Sequence, residues 1–196
     1  MRLGIFGGSF DPPHVGHLLT AVDAFEQLRL DRLIFVPAYI QPLKAAATTA
    51  PAPARLVMVQ LLIQGDERFD ADAIEIDRGG LSYTVDTLET FAQRFPDAER
   101  FFLVGEDAMA SFAAWRNPDR ILRLATAAIL RRRGGAAGAA VDDKPITEQS
   151  GTIALSTRLV DVSSTEIRER IRSGKSIRGF VPESVAAFIE TKRLYR

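Results

Sequence analysis

The chain has 196 residues, room for one ordinary domain with a small appendage, and its 46% hydrophobic and 26% charged residues are the balance of a folded globular protein. Its 25 Lys and Arg offset 25 Asp and Glu, and a net charge of zero disfavours a general binder of nucleic-acid backbones, which works through a basic excess. With no Cys and only two His, His14 and His17, disulfide scaffolds, thiolate zinc sites, thiol nucleophiles and three-His metal centres are excluded.

In chain order, residues 3–6 form a compact apolar run bounded by Gly, which predicts a strand buried on both faces. Val15, Leu18, Leu19, Val22 and Phe25 then recur at helical spacing. Residues 33–36 predict a second strand. Residues 45–54, small and Pro-containing, predict a mobile loop, and residues 73–76 predict a weaker strand. Val85, Leu88, Phe91 and Phe95 predict another helix, followed by strands at 101–104 and 127–130. Arg131, Arg132 and Arg133 read as a solvated edge before a flexible Gly/Ala connection at 134–140. Ser163 to Glu166 has capping-box spacing and predicts a helix to about Ile171, and Pro182 suits the first turn of a last helix carrying Val185, Phe188 and Ile189. Alternating strands and helices predict an α/β fold with a doubly wound parallel sheet, whose ligand lies at the carboxyl ends of the strands. No repeat or signal segment is visible, and the longest apolar stretches hold four or five residues against the roughly 20 needed to span a bilayer. The expectation is a cytoplasmic protein without membrane or nucleic-acid partners, with homo-oligomerisation left open.

Residues 7–17 read GGSFDPPHVGH between the first strand and the first helix. Gly7 and Gly8 allow a sharp turn and close approach to a ligand, while Pro12 and Pro13 stiffen it. His14 and His17, three apart, share a face of the helix start, where ring N–H groups add to free backbone N–H groups and the positive dipole end. That arrangement suits a phosphate. The bland alternative is a Gly/Pro turn with two incidental histidines. Zinc would need more ligands than His14, His17 and Asp11, and neither the G-x-G-x-x-G spacing nor a Walker lysine is present.

The motif resembles the GxFDPxHxGH signature of the HxGH nucleotidyltransferase superfamily. Four further segments narrow the resemblance to the bacterial nicotinate-nucleotide adenylyltransferase family. Residues 37–44 (PAYIQPLK) are similar to its PxxxPPHK loop, residues 82–88 (SYTVDTL) to SYTxDTL, Gly105-Glu106-Asp107 with Trp115 to its GxD…W segment, and residues 163–168 (SSTEIR) to SSTxIR. The last helix, ending in Leu194-Tyr195, also resembles the family's terminus. Gln41 and Leu43 replace the usual Pro and His, leaving Lys44 as that loop's only charged group, and Arg131–Arg133 departs from a single Arg followed by Pro-Gly.

The resemblance implies a Rossmann-like nucleotidyltransferase domain over residues 1–196, with residues 162–196 as a small C-terminal helical part. It implies that ATP and nicotinate mononucleotide are the substrates and that Mg²⁺ accompanies ATP, with no dedicated metal ligands. His17 and His14 would bind the triphosphate, and Lys44 and Arg168 would neutralise the leaving group. Gly7, Gly8, Ser9, Phe10, Ser164 and Thr165 would cradle the nucleotide. Tyr83 and Thr84 would meet the pyridine end, Trp115 would stack on the ring, and Gly105 and Asp107 would hold a ribose. Read without the resemblance, Lys44 is a solvated loop residue, Arg168 a surface group, Trp115 core packing, Tyr83 and Thr84 a helix start, and Asp107 a helix cap.

Overall fold

The computed structural model describes residues 1–42, 50–132, 146–149 and 151–196. They form two compact units: Met1–Gly7, Thr20–Ile34 and Tyr83–Leu159 make the first, and Gly8–Leu19, Phe35–Ser82 and Val160–Arg196 the second.

The first unit is an α/β sheet of Rossmann-like order. Strand β1 (Arg2–Gly8) lies between β2 (Arg32–Pro37) and β4 (Glu99–Gly105), and β5 (Thr126–Arg132), β7 (Thr152–Thr157) and β6 (Ile146–Gln149) continue outward. β1, β4, β5 and β7 pair in parallel, with Ile5 opposite Phe102 and Val104 opposite Ile129, while β6 is antiparallel. The apolar runs read from sequence are these strands, and their continuous hydrophobicity reflects burial on both faces. Helix α4 (Thr84–Arg94) buries Val85, Leu88 and Phe91 as its spacing requires, and helix α6 (Pro118–Leu124) buries Ile121 and Leu124. Helix α1 (Val15–Gln27) differs from expectation. Ala21 and Ala24 are fully buried, whereas Val15, Leu18, Leu19, Val22 and Phe25 are only half-buried, so the helix turns its small side chains inward. The edge reading of the basic run holds at Arg131, which is exposed and pairs with Glu106 at 3.2 Å; Arg133 and residues 134–140 lie outside the described residues.

In the second unit β3 (Phe69–Ala71) flanks the later half of β2, where the Asp72 N–H donates to the Phe35 carbonyl (2.9 Å). The strand expected at 73–76 is instead helix α3 (Ile74–Arg78), started by Asp72, whose Oδ1 accepts from the Ile74 N–H at 2.9 Å. The loop expected at 45–54 also needs correction at its end. Residues 45–49 lie outside the described residues, but helix α2 (Ala52–Leu62) starts within the stretch, since prolines are tolerated in a first helical turn. Helix α7 (Ser164–Arg172) follows the predicted capping box, the Glu166 N–H donating to Ser163 Oγ at 3.1 Å. Helix α8 (Glu183–Thr191) buries Val185 and Ile189, and Ser184 Oγ donates to the Leu61 carbonyl of α2 (3.3 Å). No helix of the described residues is long and apolar enough to cross a membrane.

Candidate active site

The second unit holds the turn after β1. Gly8 is required there, because a Cβ would come within 2.9 Å of Phe10 Cζ. The Gly8 carbonyl accepts from the Ala38 N–H (2.9 Å), and Ser9 Oγ donates to Gln41 Oε1 (2.7 Å). Gln41, a departure from the family pattern, is thus a partner of the motif itself. Phe10 sits at φ 48°, in the left-handed region, a conformation that costs on the order of 1–3 kcal/mol and persists only where its surroundings impose it. Its buried ring lies 5.7 Å from Phe35 and meets His17 edge-on at 5.1 Å, centroid to centroid.

His14 and His17 stand at the start of α1 with ring centroids 3.8 Å apart. The His14 backbone N–H donates to His17 Nδ1 at 3.2 Å, so that nitrogen is an acceptor and the ring proton belongs on Nε2. Burial, and then the neighbouring His14, hold the His17 pKa well below the usual histidine value, which keeps the ring neutral at pH 7. The first turn of α1 contains no acidic residue to cancel its positive end. Gly16 leaves space for His14, since a Cβ there would lie 2.9 Å from His14 Nδ1.

Around the turn, Arg168 donates to the Asp11 carbonyl (2.8 Å) and to Thr165 Oγ1 (3.1 Å), and Ser164 Oγ donates to the Pro12 carbonyl (2.8 Å). The start of α7 and the motif are therefore bound together. Lys44 lies outside the described residues.

Sequence reasoning missed the layer beneath this turn. Asp11 is buried and its Oδ1 accepts from the Ala50 N–H (3.1 Å) and the Tyr195 hydroxyl (2.7 Å). Arg55, only 1% exposed, donates from Nη1 to the Ser9 carbonyl (2.7 Å), from Nη2 to the Tyr39 carbonyl (3.0 Å) and from Nε to the Ala50 carbonyl (3.2 Å). One signal was present: Arg55 is the sole charge in the run from 52 to 62. Its partners, however, are backbone groups that only the fold brings near.

The first unit carries the other predicted residues. Gly7 is the penultimate residue of β1, and Gly105 ends β4 and precedes the short helix α5 (Glu106–Met109). Asp107 is exposed in the first turn of α5 rather than at its cap, which is Gly105. Tyr83 is the N-cap of α4 and Thr84 its first residue; the Tyr83 carbonyl accepts from the Asp86 and Thr87 N–H groups (3.1 and 3.3 Å), and the N–H groups ahead of these belong to the part of a first turn that has no helical acceptor. Trp115 is half-buried, with its ring 5.4 Å from Phe112, and Nε1 donates to Ser111 Oγ (3.4 Å). Arg116, which the sequence did not single out, holds its guanidinium 4.7 Å from the Tyr83 ring centroid and 3.4 Å from Asp86 Oδ2. Among the described residues no group of three His, Asp or Glu side chains has the placement to hold a metal ion.

Residues 5–170 match the cytidylyltransferase-like family. A Gemmatimonas aurantiaca protein is 50% identical over the whole of this chain and 93% of its own length, and a Thermus thermophilus protein is 42% identical over the full length of both. Both carry the name "probable nicotinate-nucleotide adenylyltransferase". The solved structure of Plasmodium falciparum nicotinic acid mononucleotide adenylyltransferase complexed with NaAD shares the fold, with a TM-score of 0.74 at 16% identity over 99% of this chain and 97% of that one.

Proposed function

Because the chain belongs to the nicotinate-nucleotide adenylyltransferase family, within the cytidylyltransferase-like nucleotidyltransferases, we propose that it transfers AMP from ATP to nicotinate mononucleotide, a step of NAD biosynthesis. The observation that carries the reading is the placement of His14 and His17 together at the start of α1, where His17 Nδ1 accepts from the His14 N–H and the ring proton is on Nε2. A phosphate oxygen of nicotinate mononucleotide attacks the α-phosphorus of ATP. The bond from that phosphorus to the bridging oxygen of the β-phosphate breaks, and the products are nicotinate adenine dinucleotide and pyrophosphate. The attacking phosphate is already ionised at neutral pH, so no general base is needed, and the protein supplies positioning and charge stabilisation. His17 and His14 donate to the triphosphate, and Arg168 and Lys44 take the charge of the departing pyrophosphate. Gly7, Gly8, Ser9, Phe10, Ser164 and Thr165 surround the nucleotide. Mg²⁺ enters with ATP as part of the substrate, held by phosphate oxygens and water.

Tyr83 and Thr84 offer the ring carboxylate the leading N–H groups of α4, Trp115 offers the ring a stacking face, and Gly105 and Asp107 serve the ribose. Arg116 lies over Tyr83 but is paired with Asp86, so the preference for the acid rests on the N–H groups of this helix start, which a carboxylate accepts from on both oxygens. A pocket donor facing the amide NH₂ costs about 1–3 kcal/mol. The ratio of kcat/KM for nicotinate over nicotinamide mononucleotide, measured at fixed MgATP, is therefore expected to be about tenfold or more. Equal values would contradict carboxylate recognition by this helix start.

A further inference from the structure

We infer that Arg55 is a positioning residue for His17, acting through the Ser9 carbonyl and the ring of Phe10. The inference rests on the proposed role of His17 in AMP transfer. Its path is a series of contacts within the second unit. The shortest bond of the Arg55 fork goes to the Ser9 carbonyl (2.7 Å), part of the peptide link leading into Phe10. Phe10 holds a left-handed backbone that an aromatic residue rarely adopts, and that backbone aims its buried ring at the edge of His17. Gly8 clears the room the ring occupies. The other two bonds of the fork fix Tyr39 and Ala50, so the same guanidinium ties the motif to the segment after β2 and to the residue ahead of α2.

An interior charge is retained only where hydrogen bonds and opposite charge support it. Here three carbonyls serve the planar fork, and Asp11 and Glu75 lie near enough to favour the charged state against the effect of burial. A lysine would keep the charge and lose the fork, because one ammonium cannot reproduce three directed donors spread over a guanidinium. Misplacing a transition-state donor by a fraction of an ångström lowers turnover more than it lowers ground-state binding. Arg55 would thus show itself in kcat rather than in KM.

The test is Arg55→Lys in the full chain, read by thermal unfolding, by kcat and KM for ATP, and by the imidazole Cε1–H resonances. The chain has only two histidines, so His14→Ala and His17→Ala assign both signals. The expected result is a cooperatively folded variant with kcat about tenfold lower, KM for ATP within about threefold, and a displaced His17 resonance. A folded variant with kcat within about twofold of the parent, or with a lost kcat and an unmoved His17 resonance, would overturn the inference. Should Arg55→Lys fail to fold, Arg55→Gln breaks the same fork at its source with the Phe10 ring kept, and it must move the His17 signal; an unmoved signal there is equally fatal. The resonance arm needs no substrate. Failure of the parent protein to transfer AMP would therefore count against the function and leave the coupling of Arg55 to His17 decided separately.

Discussion

Replacing His17 by alanine is expected to lower kcat for AMP transfer by about a hundredfold or more while the thermal transition stays near that of the parent. Removing a single preorganised donor to a developing oxyanion costs about 2.7–4 kcal/mol in well-studied sites. His17 has the features such a donor needs. Its Nδ1 is occupied by the His14 N–H, its pKa is held low by burial and by His14, and its ring is braced by Phe10. A neutral ring that donates through Nε2 does not depend on protonation at neutral pH. A folded His17→Ala protein with a near-normal kcat would remove His17 from the chemistry.

Asp11→Ala is expected to destabilise the fold by about 3–5 kcal/mol, roughly a 10 °C fall in Tm for a chain of this size. Its buried carboxylate accepts from the Ala50 N–H and the Tyr195 hydroxyl, and it is one of the negative groups that support the charge of Arg55. Its removal strands two donors and weakens the compensation of an interior cation. The Arg168 bond survives, because it goes to the Asp11 backbone carbonyl. Differential scanning calorimetry decides the matter, and a Tm within about 3 °C of the parent would show that the layer beneath the motif is not held this way.

What the sequence revealed and what it hid divide along physical lines. The strands were legible because burial on both faces writes an uninterrupted apolar run, as at Phe101 to Val104, and the α7 cap because Ser163 and Glu166 act over three residues. The pairing of His14 with His17 was legible for the same reason, being a property of one helical turn. Residues 73–76 show the limit of such local reading: an apparent strand is instead helix α3, entered through a turn in which Asp72 Oδ1 accepts from the Ile74 N–H. The prolines in residues 51–54 similarly read as loop and instead begin a helix. Arg55, Gln41 and Tyr195 were hidden more deeply. Their partners lie 46, 32 and 184 residues away, so no spacing rule reaches them. Arg116 escaped notice because an exposed arginine beside a tryptophan is unremarkable until its guanidinium is seen over Tyr83.

The central claim is tested most directly by incubating the purified full-length chain with MgATP and nicotinate mononucleotide and following both products. The account predicts nicotinate adenine dinucleotide and pyrophosphate formed in equal amounts, with no product when the acceptor is omitted. Pyrophosphate release without the dinucleotide, or AMP transfer to another phosphate acceptor with nicotinate mononucleotide left unused, would contradict it.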